Sequence, residues 1–278
     1  MSGLEGEVAV VFGSTRGIGR GIAERLAADG AGVVVTGRSD ADGKDVEEAI
    51  RTAGGQAVFQ RTDVGNELDV AAAIDVAVQT YGRLTAVVNV AAAMELTFGG
   101  DGLADKAVDQ LENEAWEKML RNSLTYVFWS AKYAVPRMRQ AGHGSIVNIS
   151  SAASLQGIGG HPAYCAAKSG MNGLTRAVAD AYGPENIRCN AVVLGLVASS
   201  PEVGGMLSAL GPKLNKVQML AGPASVAQAV GAVAFLVGPD SGSITGALIP
   251  VDSGMTNKLN VIDPHDIAEI IGQQRAAN

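Results

Sequence analysis

Short β-branched runs recur along this chain, each followed by a longer stretch with apolar residues at helical spacing. That alternation limits the folds open to it. The runs are EVAVVF (7–12), GVVVTG (32–37), QAVFQRT (56–62), LTAVVNV (84–90), GSIVNIS (144–150), IRCNAVVL (187–194) and ALIPVD (247–252). Several carry consecutive valines instead of an apolar–polar alternation, so both of their faces call for burial, as in a parallel sheet covered by helices. Between the runs, Ile22 and Leu26, and later Val70, Ile74 and Val78, repeat as the stripe of an amphipathic helix does. The pattern predicts a doubly wound, Rossmann-type α/β parallel sheet of about seven strands with helices on both faces.

At 278 residues the chain fits two modest domains or one large one. No Pro/Gly/Ser-rich seam and no internal repeat divides the pattern, so a single domain over 1–256 is expected. Within it, 94–114 reads as an acidic, glycine-rich insert after the fourth strand. Residues 196–222 read as a loop-rich lid over the substrate, carrying Met206, Leu207, Leu210, Leu214, Met219 and Leu220. The tail, 257–278, contains PHDIAEIIGQQ, the pattern of a short amphipathic helix.

The formal net charge is −7 with no basic block, which argues against nucleic acid and against an anionic membrane surface as partners. Cys165, Cys189 and three scattered histidines offer no disulfide framework and no metal-ligand spacing, so no metal is expected. The start lacks a basic n-region followed by a long apolar core, and no apolar run is long enough to span a bilayer. A cytoplasmic location follows as the expectation.

FGSTRGIGRGIAERLA places Gly13, Gly17 and Gly19 directly after the first strand and at the opening of a helix, with Ser14, Thr15, Arg16 and Ile18 between them. Glycines there allow a tight turn and let backbone N–H groups approach a pyrophosphate, which the helix N-terminus attracts. The second strand ends in Gly37, Arg38 and Ser39, where dinucleotide folds usually carry an acid for the adenosine ribose. Arg38 and Arg16 can instead grip a 2′-phosphate, with no carboxylate nearby to repel it. NADP(H) is therefore expected over NAD(H).

In AYCAAKSG, Tyr164 and Lys168 stand four positions apart, one helical turn, among small residues that leave room for something large. Ser151 lies thirteen positions earlier, at the tip of the fifth strand, where open α/β sheets bind ligands. With the glycine turn in register, the chain resembles the classical short-chain dehydrogenase/reductase family over roughly residues 5–256. The resemblance also covers TDV (62–64), VVNVAAA (87–93), IRCNAVVLG and VDSGM. It implies that Tyr164 donates a proton to the substrate oxygen or removes one. Lys168 would lower the phenol pKa and bind the nicotinamide ribose, and Ser151 would polarise the substrate oxygen. It further implies cofactor contacts at Asp63 and Val64 (adenine), Asn89, Ala91, Gly195, Val197 and Ser199, and a homotetramer.

The chain departs from the family at several points. Phe12 replaces a threonine, Asn89-Val90-Ala91-Ala92 stands for Asn-Asn-Ala-Gly, and Leu194-Gly195 for Pro-Gly. The family's fourth catalytic residue, an asparagine, falls on Ser123 in WEKMLRNSLTYVF. Asn122 is adjacent, but neighbouring helical residues point about 100° apart, so it takes that place only through a register shift. A slower or rewired proton relay is implied.

The resulting expectation is an NADP(H)-dependent oxidoreductase interconverting a secondary alcohol and a ketone, with an apolar substrate end. A 3-oxoacyl thioester reductase docking an acidic carrier on Lys132, Arg137 and Arg139 is an alternative within that class. A nucleotide-binding sensor or structural subunit with weakened catalysis is the alternative outside it.

Overall fold

The valine runs become strands because their neighbours bury both faces. All five residues of β1 (Val8–Phe12) are buried, as are the first five of β2 (Gly32–Gly37). The computed structural model describes residues 3–97 and 103–258, together with Gln273. The further strands are β3 (Gln56–Arg61), β4 (Ala86–Asn89), β5 (Gly144–Ser151), β6 (Ile187–Leu194), β7 (Val197–Ala198), β8 (Ala224–Ser225) and β9 (Leu248–Val251). Seven of them form one parallel sheet in the order β3-β2-β1-β4-β5-β6-β9, and β7 pairs with β8 alone. The expected doubly wound sheet is thus the observed one.

The helices are α1 (Gly17–Ala28), α2 (Asp40–Thr52), α3 (Glu67–Tyr81), α4 (Met94–Thr97), α5 (Asn113–Leu120), α6 (Tyr126–Ala141), α7 (Pro162–Tyr182), α8 (Pro201–Leu210), α9 (Pro212–Val217) and α10 (Val226–Val237). Strand alternation sorts the side chains between two cores. Val33 and Val35 join Ile22 and Leu26 of α1, Val46 of α2 and Val233 of α10 on one face. Val34, between them, joins Ile74 of α3, Met138 of α6 and Met171 of α7 on the other. Each fully buried valine contributes about 1.5–3 kcal/mol, and a one-residue slip in β2 would exchange Val33, Val34 and Val35 between the two cores, away from the partners they pack on.

Two strands are shorter by two or more residues than the 84–90 and 247–252 runs predict. At β4 the Thr85 hydroxyl accepts from the Val8 backbone N–H at 2.8 Å, replacing a ladder carbonyl by a side chain. At β9 the Ala247 N–H goes to the Asn190 side chain at 3.0 Å. β7, α8 and α9 occupy the 196–222 region, where the sequence predicts a loop-rich lid, and β8 follows just beyond it. Its apolar side chains divide. Leu207 and Leu214 are buried, whereas Met219 and Leu220 are more than half exposed. The tail beyond Lys258 and residues 98–102 of the acidic insert lie outside the described residues, Gln273 excepted. No helix among the described residues is long and apolar enough to cross a membrane.

The strand order reverses between β1 and β4, and such a switch point leaves a crevice at the carboxyl ends of the strands. That crevice positions the site.

Candidate active site

A cleft of about 520 Å³ opens at the carboxyl edge of the sheet. Its floor is the glycine turn. A Cβ on Gly19 would stand 2.0 Å from the Gly13 carbonyl oxygen, so the first turn of α1 comes this close only because residue 19 has no side chain. Gly17, at φ 55°, takes the left-handed conformation and faces the Ser199 backbone. Thr15, Arg16 and Ile18 line the same wall. Ser14 does not. It is buried, its hydroxyl donates to the Val11 carbonyl at 2.7 Å and accepts from the Thr36 N–H at 2.8 Å, and so ties the turn to β2.

Arg38 lines the cleft and, like Arg16, is exposed and carries no ion pair among the described residues. Gly37 leaves room for Thr15, since a Cβ there would be 2.4 Å from the Thr15 methyl. Ser39 lies outside the cleft and caps α2, accepting from the Asp42 N–H at 3.3 Å. Asp63 and Val64 line the cleft beyond β3, and Ala91, Gly195, Val197 and Ser199 line its other side. A turn whose glycines admit close backbone approach, at the opening of a helix, fits the pyrophosphate of a dinucleotide.

At the chemical end, β5 carries Ser151 and α7 carries Tyr164 and Lys168, all three on the cleft wall. The Lys168 Nζ sits 5.8 Å from the centre of the Tyr164 ring and donates to the Ile149 carbonyl at 2.7 Å. Burial pulls the lysine pKa down to about 8. Burial raises the Tyr164 pKa, opposed by the neighbouring Ser151 hydroxyl. The phenol is therefore held protonated at neutral pH, with a serine hydroxyl beside it and an ammonium one helical turn away. This arrangement can deliver a proton to an oxygen placed between tyrosine and serine. Met94, Ile158, Leu196, Val203, Met206 and Leu207 make the adjoining wall apolar, with Glu95 the carboxylate among them.

Ser123 and Asn89 are not on the cleft wall, contrary to expectation. Between α5 and α6 the helix widens into a π-turn, Arg121–Thr125. Ser123 there is fully buried, accepts from the Ala93 N–H at 3.2 Å and donates to the Met119 sulfur at 3.4 Å. Asn122 lines the cleft instead, its buried Oδ1 without a hydrogen-bond partner, beside Gly65 in the loop after β3. Neither side chain bonds to Lys168. Asn89 is buried because its amide donates to Asn148 of β5 at 2.8 Å, and Asn148 in turn donates to Thr175 of α7 at 2.9 Å. The two amides tie β4 to β5, and the threonine ties β5 to α7.

Asp105 joins the site without a motif of its own. Its carboxylate, from the insert, accepts from the Ala163 N–H at 3.1 Å and from the Tyr164 N–H at 2.8 Å. No local signal marks it, since the two ends of the contact are 59 residues apart.

The fold and the cleft define a class, an open α/β sheet with a crevice at its switch point that the glycine turn lines. Residues 13–256 match the family model described as enoyl-(acyl carrier protein) reductase. The chain is similar to the 7alpha-hydroxysteroid dehydrogenase of Clostridium sardiniense, 35% identical over 91% of this chain and 95% of that protein. It is also similar to the cyclohexanol dehydrogenase of Acinetobacter sp. (strain SE19), 34% identical over 91% of this chain and 96% of the relative. Among solved structures, a double mutant of the Serratia marcescens short-chain dehydrogenase/reductase superposes with a TM-score of 0.80. That match has 29% identity and covers 91% of this chain and 99% of the other. The chain belongs to the short-chain dehydrogenase/reductase family, whose oxidoreductases work with a nicotinamide dinucleotide.

Proposed function

We propose that this protein is an NADP(H)-dependent oxidoreductase that interconverts a secondary alcohol on an apolar ring with the corresponding ketone. The convergence of Ser151, Tyr164 and Lys168 beside an apolar wall carries the reading. The relatives named for hydroxysteroid and cyclohexanol chemistry support the ring.

The glycine turn, Asp63, Val64, Ala91, Gly195, Val197 and Ser199 would hold the cofactor, with Arg16 and Arg38 on its 2′-phosphate. When bound, the nicotinamide supplies or accepts the hydride. Tyr164 transfers its phenolic proton to the carbonyl oxygen as negative charge develops there, and Ser151 donates a hydrogen bond to that same oxygen. Lys168, with a pKa of about 8, remains an ammonium at neutral pH and offsets the charge left on the phenolate. In the reverse direction the phenolate takes the alcohol proton. The apolar wall excludes water and orients the ring. A soluble, cytoplasmic homotetramer completes the proposal.

The thioester alternative loses support at the surface. Lys132 pairs with Glu67 at 2.7 Å, Arg137 with Asp75 at 2.9 Å, and Arg139 with Glu185. The basic patch is thus neutralised within the chain. The sensor alternative draws on one observation, that neither Ser123 nor Asn122 reaches Lys168. NADPH and NADH oxidation against cyclohexanones, steroid ketones and 3-oxoacyl thioesters tests all three readings. Turnover of cyclic ketones with NADPH is the expected result. Tight nucleotide binding without turnover would support the sensor.

A further inference from the structure

The catalytic helix α7 begins at Pro162, and the N–H groups of a helix's first turn have no partner within the helix. Pro162 has none to satisfy, and the Cys165 N–H reaches the His161 carbonyl at 3.0 Å. Ala163 and Tyr164 remain. The residue placed to cap them, His161, makes no side-chain cap. The Asp105 carboxylate takes both, one oxygen on each N–H, at 3.1 and 2.8 Å.

The carboxylate is only 5% exposed, beside a small core of Leu96, Met119, Ala163 and Ala167 beneath Tyr164. Its own N–H is anchored to the Leu96 carbonyl at 3.0 Å. Leu96 follows Met94 and Glu95, which stand in the cleft wall. Residues 94–96 therefore reach the substrate end of the cleft, while Asp105, hydrogen-bonded to Leu96, grips the backbone of the proposed proton donor.

We infer that Asp105 is a positioning residue for Tyr164: its bidentate cap fixes where the phenol stands relative to Ser151 and the substrate oxygen. The inference rests on the proposed role of Tyr164. A reacting group displaced by about 1 Å can cost on the order of 100-fold in rate, so the cap acts on turnover more than on binding.

The test compares wild type with Asp105→Ala and the isosteric Asp105→Asn. Measured quantities are kcat and KM for a cyclic ketone, NADPH affinity by fluorescence, thermal midpoint, and amide hydrogen exchange over 162–168 in the free protein. Asp105→Ala should lower kcat about 10- to 100-fold, with KM and nucleotide affinity within about twofold. Exchange at the start of α7 should rise. Asp105→Asn keeps one acceptor and should fall between the two. If Asp105→Ala does not fold, Asp105→Asn decides: a reduced kcat at unchanged KM supports the inference. Wild-type kcat with a lowered thermal midpoint overturns it, leaving the cap a purely structural one. A wild type with nucleotide binding but no turnover on any ketone overturns the functional reading, and this inference with it. An active wild type with indifferent Asp105 variants overturns the inference alone.

Discussion

Lys168 donates a 2.7 Å hydrogen bond to the carbonyl of Ile149, two residues before Ser151 on β5. The bond joins α7, which carries Tyr164, to β5, which carries Ser151, at the ammonium itself. The bond holds the lysine beneath Tyr164 while burial works against its charge.

That burial has a measurable sign. The folded pKa of Lys168 is about 8, below its ordinary 10.5, so between those values the unfolded chain binds the extra proton. The lysine's contribution to stability is fully present above pH 10.5 and is lost as pH falls through about 8. Relative to Lys168→Met, the cofactor-free wild type should gain stability from pH 8 to 10. Thermal midpoints across that range check it, and parallel curves would refute it.

Tyr164→Phe removes the proposed proton donor and leaves the ring. Turnover should fall by about 100- to 10,000-fold, the usual contribution of a general acid, while nucleotide binding persists. Ser151→Ala should lower turnover less, since one hydrogen bond to the oxygen is lost and the proton source remains. Steady-state kinetics with a fluorescence measurement of nucleotide affinity separate chemistry from binding.

Cofactor choice should follow Arg38 and Gly37. Arg38→Ala is expected to weaken NADPH about tenfold or more, the worth of a charge-assisted hydrogen bond, with NADH little changed. Gly37→Asp alone should weaken both, because its side chain would meet the Thr15 methyl 2.4 Å from the Cβ. Paired with Thr15→Gly it should favour NADH. The ratio of kcat/KM values for the two cofactors is the readout.

Ser123→Asn restores the family's residue type to a fully buried position already bonded to Ala93 and Met119. Overpacking should cost about 1–3 kcal/mol without raising turnover. Asn122→Ala removes a buried, unpartnered oxygen facing the cleft, so stability should hold while nucleotide affinity drops several-fold. Urea unfolding and nucleotide titration distinguish the two residues.

Much of this site is legible in the chain itself. Tyr164 and Lys168 fall on one helix face, and Gly13, Gly17 and Gly19 follow a strand, because both relations are local and set by helical and turn geometry. Ser123 and Asn122 show where such reasoning stops. Counting residues assumes a regular α-helix, whereas the π-turn inserts a different register and sends Asn122 to the cleft and Ser123 to the core. Asn89 likewise turned inward because its partner, Asn148, belongs to another strand.

By itself the sequence determined the strands, their two-sided burial and hence the parallel sheet, along with the glycine turn and the Tyr164/Lys168 spacing. These follow from periodicity and backbone conformation, which act over a few residues. Only the tertiary structure decided that Asp105 caps the helix of Tyr164, that Ile149 anchors Lys168, and that the Lys132/Arg137/Arg139 patch is neutralised by Glu67, Asp75 and Glu185. Those are pairings between residues far apart in the chain. Their energies depend on distance and burial after the layers close, and no local pattern encodes either.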